Sequence, residues 1–533
     1  MVRSDFRLRR KQTYASNGMV ASASALATQA GLDILRRGGN AVDAAVAAAT
    51  VTWATLPMLA GPGGDAFLLI KRKDESPIAI NGSGPVGSFA SIDLLRSRGY
   101  TEAMPLHGPL SVAVPGAVAA FETALTGFGT LGWPEVLADG TRYAEAHIVT
   151  PYAARWFARE QGKMRRSRVA REVYLSRGRP PSAGSMLRQP QYARSLQKIA
   201  RGGSEAFYRG DLGDAIGKRY QESGLFSRSD LAEMRADVYP PLSTEYMRSR
   251  VYQLAPPSQG VVHLLALNIV DRFGISGLDG ARLLHVLIEA KKLAFEDRRR
   301  YLGDPRHVTV PLEHLLSPGH AESRAKRIRL NAASLDQAEA GILGDTTSLC
   351  VVDGQGTAVS LIQSLSAAFG SGDVVGATGI FMNNRAGRGF VLEEGHPNAL
   401  APNKRTVHTL NCYIVANGDR ARLVGGTPGG DGQIQWNLQA VVNHVNLGMS
   451  VGEIVGAPRW AHDPSEDGAL STVTLEADFG SAILRELTEV GHRVRRIPSQ
   501  SMIGNHQLIE IDWDAGVLTG ASDPRGDGVA AGY

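Results

Sequence analysis

Along ASALATQAGLDILRRGG (23–39) apolar positions recur at helical spacing and stop at Gly38-Gly39, a pair suited to closing a helix. NAVDAAVAAATVTWATL (40–56) follows from Asn40, whose short amide accepts from the unpaired N–H groups of a first turn, so two packed helices open the fold. Residues 44–64 carry no charge and are long enough to span a bilayer, but they are rich in Ala and Thr and broken by Pro57, Gly61, Pro62, Gly63 and Gly64. That pattern predicts a buried core helix and a tight loop. Short apolar runs mark strands at 67–71 and 76–80, and helical patterns occupy 92–99, 116–127 and 190–202. Residues 279–305 form a long amphipathic helix with Leu284, Leu287, Ile288, Leu293 and Ala294 on its apolar face. His285, Glu289, Lys292 and Glu296 invite a metal reading there; Lys292 on the same face makes Glu289→Lys292 an ordinary helix-surface ion pair instead, and no metal site is expected.

The texture then changes. NAASLDQAEAGILGD (331–345) is small and acidic with weak periodicity, and is expected to be an exposed linker. TTSLCVVD (346–353) and TAVSLIQSL (357–365), joined by Gly-Gln-Gly, make one β-hairpin; residues 408–426 make a second with Asn417-Gly418 at the turn. Helical patterns return at 433–447, 451–456 and 481–490. A strand-rich centre with helices before and after it predicts a layered α/β sandwich.

Composition narrows the partners. With 533 residues the chain suits a single large layered unit or about three domains. Its 57 Lys+Arg against 52 Asp+Glu leave a formal charge of +5, with the basic residues scattered, so nucleic acid is not an expected partner, nor is a membrane. The two cysteines, Cys350 and Cys412, exclude a disulfide framework, a four-cysteine zinc site and a self-ligated iron–sulfur cluster, which fits a reducing compartment. The basic N-terminus has no apolar run behind it, and a cytoplasmic location is expected. Phosphate-loop, dinucleotide, HExxH and GxSxG patterns are absent.

Two features suggest chemistry. Thr346-Thr347 starts a strand directly after the linker, and GGTPGGDG (425–432) is a glycine turn leading into a helix, able to aim consecutive N–H groups at one point. These are the parts of an N-terminal-nucleophile hydrolase, in which a Thr hydroxyl attacks an amide and the base is that residue's own α-amine, exposed only after the chain is cut before it. On spacing alone, a Thr-Thr pair is ordinary strand packing and a glycine turn only a turn.

The motifs GGNAVDAAVAAA (38–49), GPGGDAF (61–67), VPGAVAAFE (114–122), EAKKLAFEDRRRYLGDP (289–305), FGSG (369–372), Asn383-Asn384, PNKR (402–405), GTPGG (426–430), APRW (457–460) and GASDPR (520–525) occur in an order that resembles the γ-glutamyltransferase family over nearly the whole chain. The resemblance implies a four-layer αββα sandwich, made as a proenzyme cut between Asp345 and Thr346. It divides the chain into a large subunit (1–345, with 331–345 as processing linker) and a small one (346–533) that remain associated, and leaves further homo-oligomerisation open. It implies Thr346 as nucleophile, the Gly429 and Gly430 amides as oxyanion hole, and Ser364 in place of a second Thr that positions the nucleophile. No cofactor is implied.

The pocket departs from the glutathione-using pattern. Asn81 or its neighbours replace the arginine that binds the glutamyl α-carboxylate, and His408-Thr409 replace two serines. Ser366 replaces an Asn, and Arg385 follows Asn384 where an acidic or amide residue holds the α-amine; a cation cannot accept from an ammonium. These changes, with HPNALAPNKRTVHTLN (396–411) and GGDGQ (429–433), resemble the oxamate amidohydrolase and acylase branch. The substrate expected is a small amide whose carboxylate Arg385 binds, unless Arg385 instead pairs with Glu393 or Glu394. His408 either donates to substrate or fills the former serine site. Rival readings are a γ-glutamyl hydrolase or transferase with a modified pocket, a β-lactam side-chain acylase, and an inactive binding protein of the same fold.

Overall fold

The computed structural model describes residues 12–274, 277–278, 280–334, 345–463 and 471–533. Asn40 caps the Ala41–Thr55 helix through a reciprocal box with Asp43, and every residue of that helix is buried, as its uncharged composition requires. Trp53 Nε1 donates to Gln363 Oε1 at 2.7 Å, fixing the helix against a strand behind it. Among the described residues no helix is long and apolar enough to cross a membrane.

Two seven-stranded sheets stack face to face. One runs Val529–Gly532, Gly18–Ser22, Thr347–Asp353, Ala358–Ser364, Asp65–Lys71, Ile78–Gly82, Asp237–Tyr239. The other runs Thr13–Ala15, Val517–Ser522, Gln507–Asp512, Arg420–Gly426, Cys412–Asn417, Ser249–Gln253, Leu242–Tyr246. A dry core that includes Phe67, Leu69, Cys350, Ile362, Ile414 and Ile509 fills the space between them. The Ala41–Thr55 and Ala117–Phe128 helices cover the first sheet, and Gly260–Asp271, Gly280–Tyr301 and Gly432–Val445 cover the second. The result is a four-layer αββα sandwich whose central strands are buried on both faces, which is why they read as continuous apolar runs.

Both predicted hairpins form, with one shift: Asn417 pairs with Arg420, so the two-residue turn is Gly418-Asp419, and Gly418 takes the positive φ of +56°. The helix from Pro190 runs to Tyr208 across a kink at Gly203. Cys350 and Cys412 are free and buried in the inter-sheet core. On the long helix Lys292 Nζ lies 2.7 Å from Glu289 Oε1, but the pair is buried rather than on the helix surface, because neighbouring segments pack over that face and Ser334 caps both side chains. His285, Glu289 and His492 do gather, but His285 bonds His492 at 2.8 Å and the Arg329 carbonyl at 2.9 Å, and Glu289 also accepts from Ser334. Of the expected linker, 331–334 are described and Ala333 N–H is tied to the Val490 carbonyl; 335–344 lie outside the described residues.

Candidate active site

Strand register builds the site. Thr347 pairs with Gln363 and Ser364 with Asp65, so Thr346, Ser364 and Asp65 form a row at one end of three adjacent strands. Side chains alternate along a strand, and this row points to the inter-sheet side with Ser348 and Phe67. The Gly61–Gly64 loop lets neighbouring segments close in: a Cβ on Gly64 would lie 2.4 Å from the Ser364 carbonyl oxygen, and one on Gly63 2.1 Å from that of Phe381.

Thr346 Oγ1 donates to Ser364 Oγ at 3.1 Å, and Ser364 Oγ donates to the Asp345 carbonyl oxygen at 2.7 Å. Ser366 N–H donates to the same Ser364 oxygen at 2.7 Å, so that hydroxyl is fully committed. Asp345 N–H donates to the Ser366 carbonyl at 3.1 Å, and Ala368 N–H to Asp345 Oδ2 at 2.9 Å. The peptide between Asp345 and Thr346 is thus clamped from the 364–368 segment, in which Ser366 adopts φ +81°. Burial raises the Asp345 carboxyl above its ordinary range, against the Ala368 N–H and the Arg388 charge.

The glycine turn reaches the same end of the sheet. Ser348 Oγ donates to the Gly426 carbonyl at 3.0 Å and Ser360 Oγ to that of Gly425 at 2.9 Å, so the Arg420–Gly426 strand delivers Thr427–Asp431 towards the start of the Thr347–Asp353 strand. Gly429 and Gly430 have φ of +132° and +59°. Among the described residues neither of their N–H groups has an acceptor.

Arg385 pairs with neither Glu393 nor Glu394. Its Nε donates to Asp65 Oδ2 at 3.0 Å, and His408 Nε2 lies 3.0 Å from the same oxygen. His408 Nδ1 accepts from Leu410 N–H, so Nε2 carries the proton and donates; both ring nitrogens are engaged within the protein. Burial alone would raise the Asp65 carboxyl, but the His408 hydrogen bond and the Arg385 guanidinium hold it below the usual range. Burial and the Arg385 charge push His408 down to about 4, keeping it neutral at neutral pH. Asp65 Oδ1 and Arg385 Nη2 are buried without a partner among the described residues, so each member of this ion pair keeps one unused hydrogen-bonding atom.

Buried neutral histidines give a pH prediction. His408 sits at about 4, and His263, His492 and His506 at about 3, against an ordinary 6.5, mainly because burial disfavours the charged ring. Between about 4 and 6.5 the folded chain binds fewer protons than the unfolded one, so this stabilisation is complete above 6.5 and lost as pH falls. The unfolding midpoint should therefore drop steadily from pH 7 to 4; a flat profile would contradict the assignment.

The family model for gamma-glutamyltranspeptidase matches residues 27–533. The chain belongs to the gamma-glutamyltranspeptidase family. It is 36% identical to the oxamate amidohydrolase proenzyme of Klebsiella pneumoniae, over 97% of this chain and 99% of that protein. It is 34% identical to the glutathione hydrolase-like YwrD proenzyme of Bacillus subtilis, over 98% and 99% respectively. The crystal structure of cephalosporin acylase from Bacillus halodurans superposes with a TM-score of 0.92 at 35% identity, covering 99% of this chain and 98% of that one.

Within this gamma-glutamyltranspeptidase-family chain, other expected pocket residues are held by the scaffold. Asn384 Oδ1 accepts from Ala367 N–H at 2.9 Å and its Nδ2 donates to the Leu106 carbonyl at 3.0 Å. Asn81 Oδ1 accepts from Ser83 N–H and Oγ, and its side chain shares a face with Phe67. The Thr409 carbonyl accepts from Gln259 Nε2 at 2.9 Å. Ser366 Oγ is buried and has no partner among the described residues. Sequence reasoning missed Asp65, although it stands in the quoted GPGGDAF motif. It also missed Arg388, one helical turn after Arg385, whose Nη1 donates to the Ser366 carbonyl at 3.0 Å. Burial and Arg385 lower Arg388 to about 10, and it feels the charges of both Asp345 and Asp431.

Proposed function

We propose that this protein is a self-processing amidohydrolase that cuts itself between Asp345 and Thr346 and then hydrolyses a small carboxylate-bearing amide through an ester on Thr346. The Thr346–Ser364–Asp345 hydrogen-bond chain carries the reading. Thr346 Oγ attacks the Asp345 carbonyl carbon while Ser364 Oγ–H donates to the oxygen that gains charge. The C–N bond breaks, the nitrogen takes the proton given up by Thr346 Oγ to become the Thr346 α-amine, and an Asp345–Thr346 ester remains. Water hydrolyses that ester, leaving fragments 1–345 and 346–533. The similarity to proteins named as proenzymes supports this step.

The freed amine then serves as base. It accepts the Thr346 Oγ proton as the oxygen attacks the substrate amide, and passes it to the leaving nitrogen. Gly429 and Gly430 N–H groups, without acceptors among the described residues, stabilise the oxyanion, and removal of one such donor typically costs about 10²–10³-fold in rate. Water releases the acyl group as a carboxylic acid. The partner-free Arg385 Nη2 binds the substrate carboxylate, in line with the oxamate amidohydrolase relative.

Arg385→Lys should raise KM for oxamate or a related carboxylate-bearing amide about 10- to 100-fold, the equivalent of one charge-assisted hydrogen bond, with a smaller change in kcat. An unchanged KM would remove Arg385 from substrate recognition. One observation favours a second reading: the Asp65–Arg385 pair keeps an unpartnered acceptor, Asp65 Oδ1, as well as an unpartnered donor, Arg385 Nη2, as an α-amino-acid head group requires. Faster turnover of γ-glutamyl anilide than of oxamate would select a γ-glutamyl hydrolase.

A further inference from the structure

Two glycines in succession make a mobile turn, yet an oxyanion hole needs its two N–H groups fixed before charge develops. The turn is pinned at several points. Gly432 N–H donates to the Gly429 carbonyl at 3.0 Å and Gln433 N–H to that of Gly430 at 3.2 Å. The Trp436 ring lies against Gly429, where an added Cβ would stand 2.1 Å from a ring carbon. A further tie comes from outside the turn and its helix: Gln259 Nε2 donates to the Gly430 carbonyl at 3.3 Å.

Gln259 does more than hold the turn. The same Nε2 donates to the Thr409 carbonyl at 2.9 Å, and Gln259 N–H donates to the His408 carbonyl at 2.8 Å. Its Oε1 accepts from Arg298 Nη1 at 2.9 Å, and Arg298 also bonds both Asp431 carboxylate oxygens, at 2.5 and 3.3 Å. Both N–H groups and the oxygen of this buried carboxamide have partners, and Arg298 dictates which end faces the two carbonyls. His408 in turn bonds Asp65, which holds Arg385.

We propose that Gln259 is a positioning residue that locks the oxyanion turn at Gly430 to the His408-Thr409 segment, setting the distance between the group that stabilises the transition state and the group that recognises the acyl carboxylate. The inference rests on the reading of Gly429 and Gly430 as the oxyanion hole. A carboxamide suits the task because it offers two N–H donors to two carbonyls and one oxygen to Arg298; Glu, Leu or Met would each lose the donors.

The test uses full-length protein carrying Gln259→Leu or Gln259→Glu, with self-cleavage followed by gel and hydrolysis followed by product release. In the uncut chain Ser364, not the glycine turn, faces the Asp345 carbonyl, so Gln259→Leu should still yield both fragments. Its kcat should fall about 10- to 100-fold while KM stays within about threefold, because the loss is one of alignment in the transition state. Gln259→Glu should be slow at neutral pH, and its rate divided by that of the wild type at the same pH should show an acidic limb, rising as the pH is lowered, since only its protonated carboxyl can donate to a carbonyl while the loss of the free Thr346 amine is common to both proteins. Wild-type kcat in processed Gln259→Leu would overturn the proposal, and so would equal losses in both variants without an acidic limb. If Gln259→Leu fails to fold, the pH profile of Gln259→Glu decides. A wild-type protein that is cut but hydrolyses no amide would instead refute the parent reading of the site.

Discussion

Thr346→Ala is expected to leave the protein as one 56.8 kDa chain on a denaturing gel, with amide hydrolysis reduced by at least about 10⁴-fold. Both losses have one cause. The side chain removed is the attacking atom for self-cleavage and, afterwards, for substrate. The rest of the site should be undisturbed, because Ser364 keeps its bonds to the Asp345 carbonyl and Ser366 N–H. Thr346→Ser retains the hydroxyl and should still be cut, more slowly, since it lacks the methyl that restricts the rotamer. Intact mass of the fragments would place the cut. Wild-type protein that remains whole, or a Thr346→Ala chain that is cut before residue 346, would sink the nucleophile assignment and leave an inactive binding protein as the better reading.

The second large effect concerns Asp65. Asp65→Asn removes the charge that faces Arg385 Nε across 3.0 Å at a position with both side chains almost fully buried. An unpaired buried guanidinium costs about 3–5 kcal/mol, so the unfolding midpoint should fall sharply and hydrolysis with it. Arg385→Met in the Asp65→Asn background removes the stranded charge and replaces it with an apolar side chain of similar length. The double variant should therefore be more stable than Asp65→Asn alone, although it will bind a carboxylate no better. Thermal unfolding of the three variants checks this, and a double variant less stable than the single one would show that Arg385 is compensated elsewhere.

What the chain reveals in its sequence divides according to distance along it. Helices at 41–55, 280–301 and 432–445 and both hairpins were legible because each is a local matter of caps, apolar period and turn residues, as the Asn40–Asp43 box illustrates. Thr346, Ser364 and the glycine turn emerged only when several motifs were taken together, since a Thr-Thr pair in a strand has an ordinary explanation.

What the sequence could not supply was the partner of a buried charge whose mate lies far along the chain. Arg385 had two acids nearby in sequence, Glu393 and Glu394, yet it pairs with Asp65, 320 residues away. Glu394 is instead exposed and pairs with Arg96. Strand register decided this, because Ser364 opposite Asp65 puts that carboxylate on the row of Thr346. Gln259 likewise has no local signature, and its meaning comes from the carbonyls of Thr409 and Gly430 that the second sheet brings to it. By itself the sequence determined most of the elements, because these depend on residue type and short-range order, while the four-layer class and the proposal of Thr346 as nucleophile came from the ordered motifs that carry the family resemblance. Only the tertiary structure decided which charges neutralise one another and what holds the oxyanion turn, because a buried polar group is satisfied by whatever packing sets beside it.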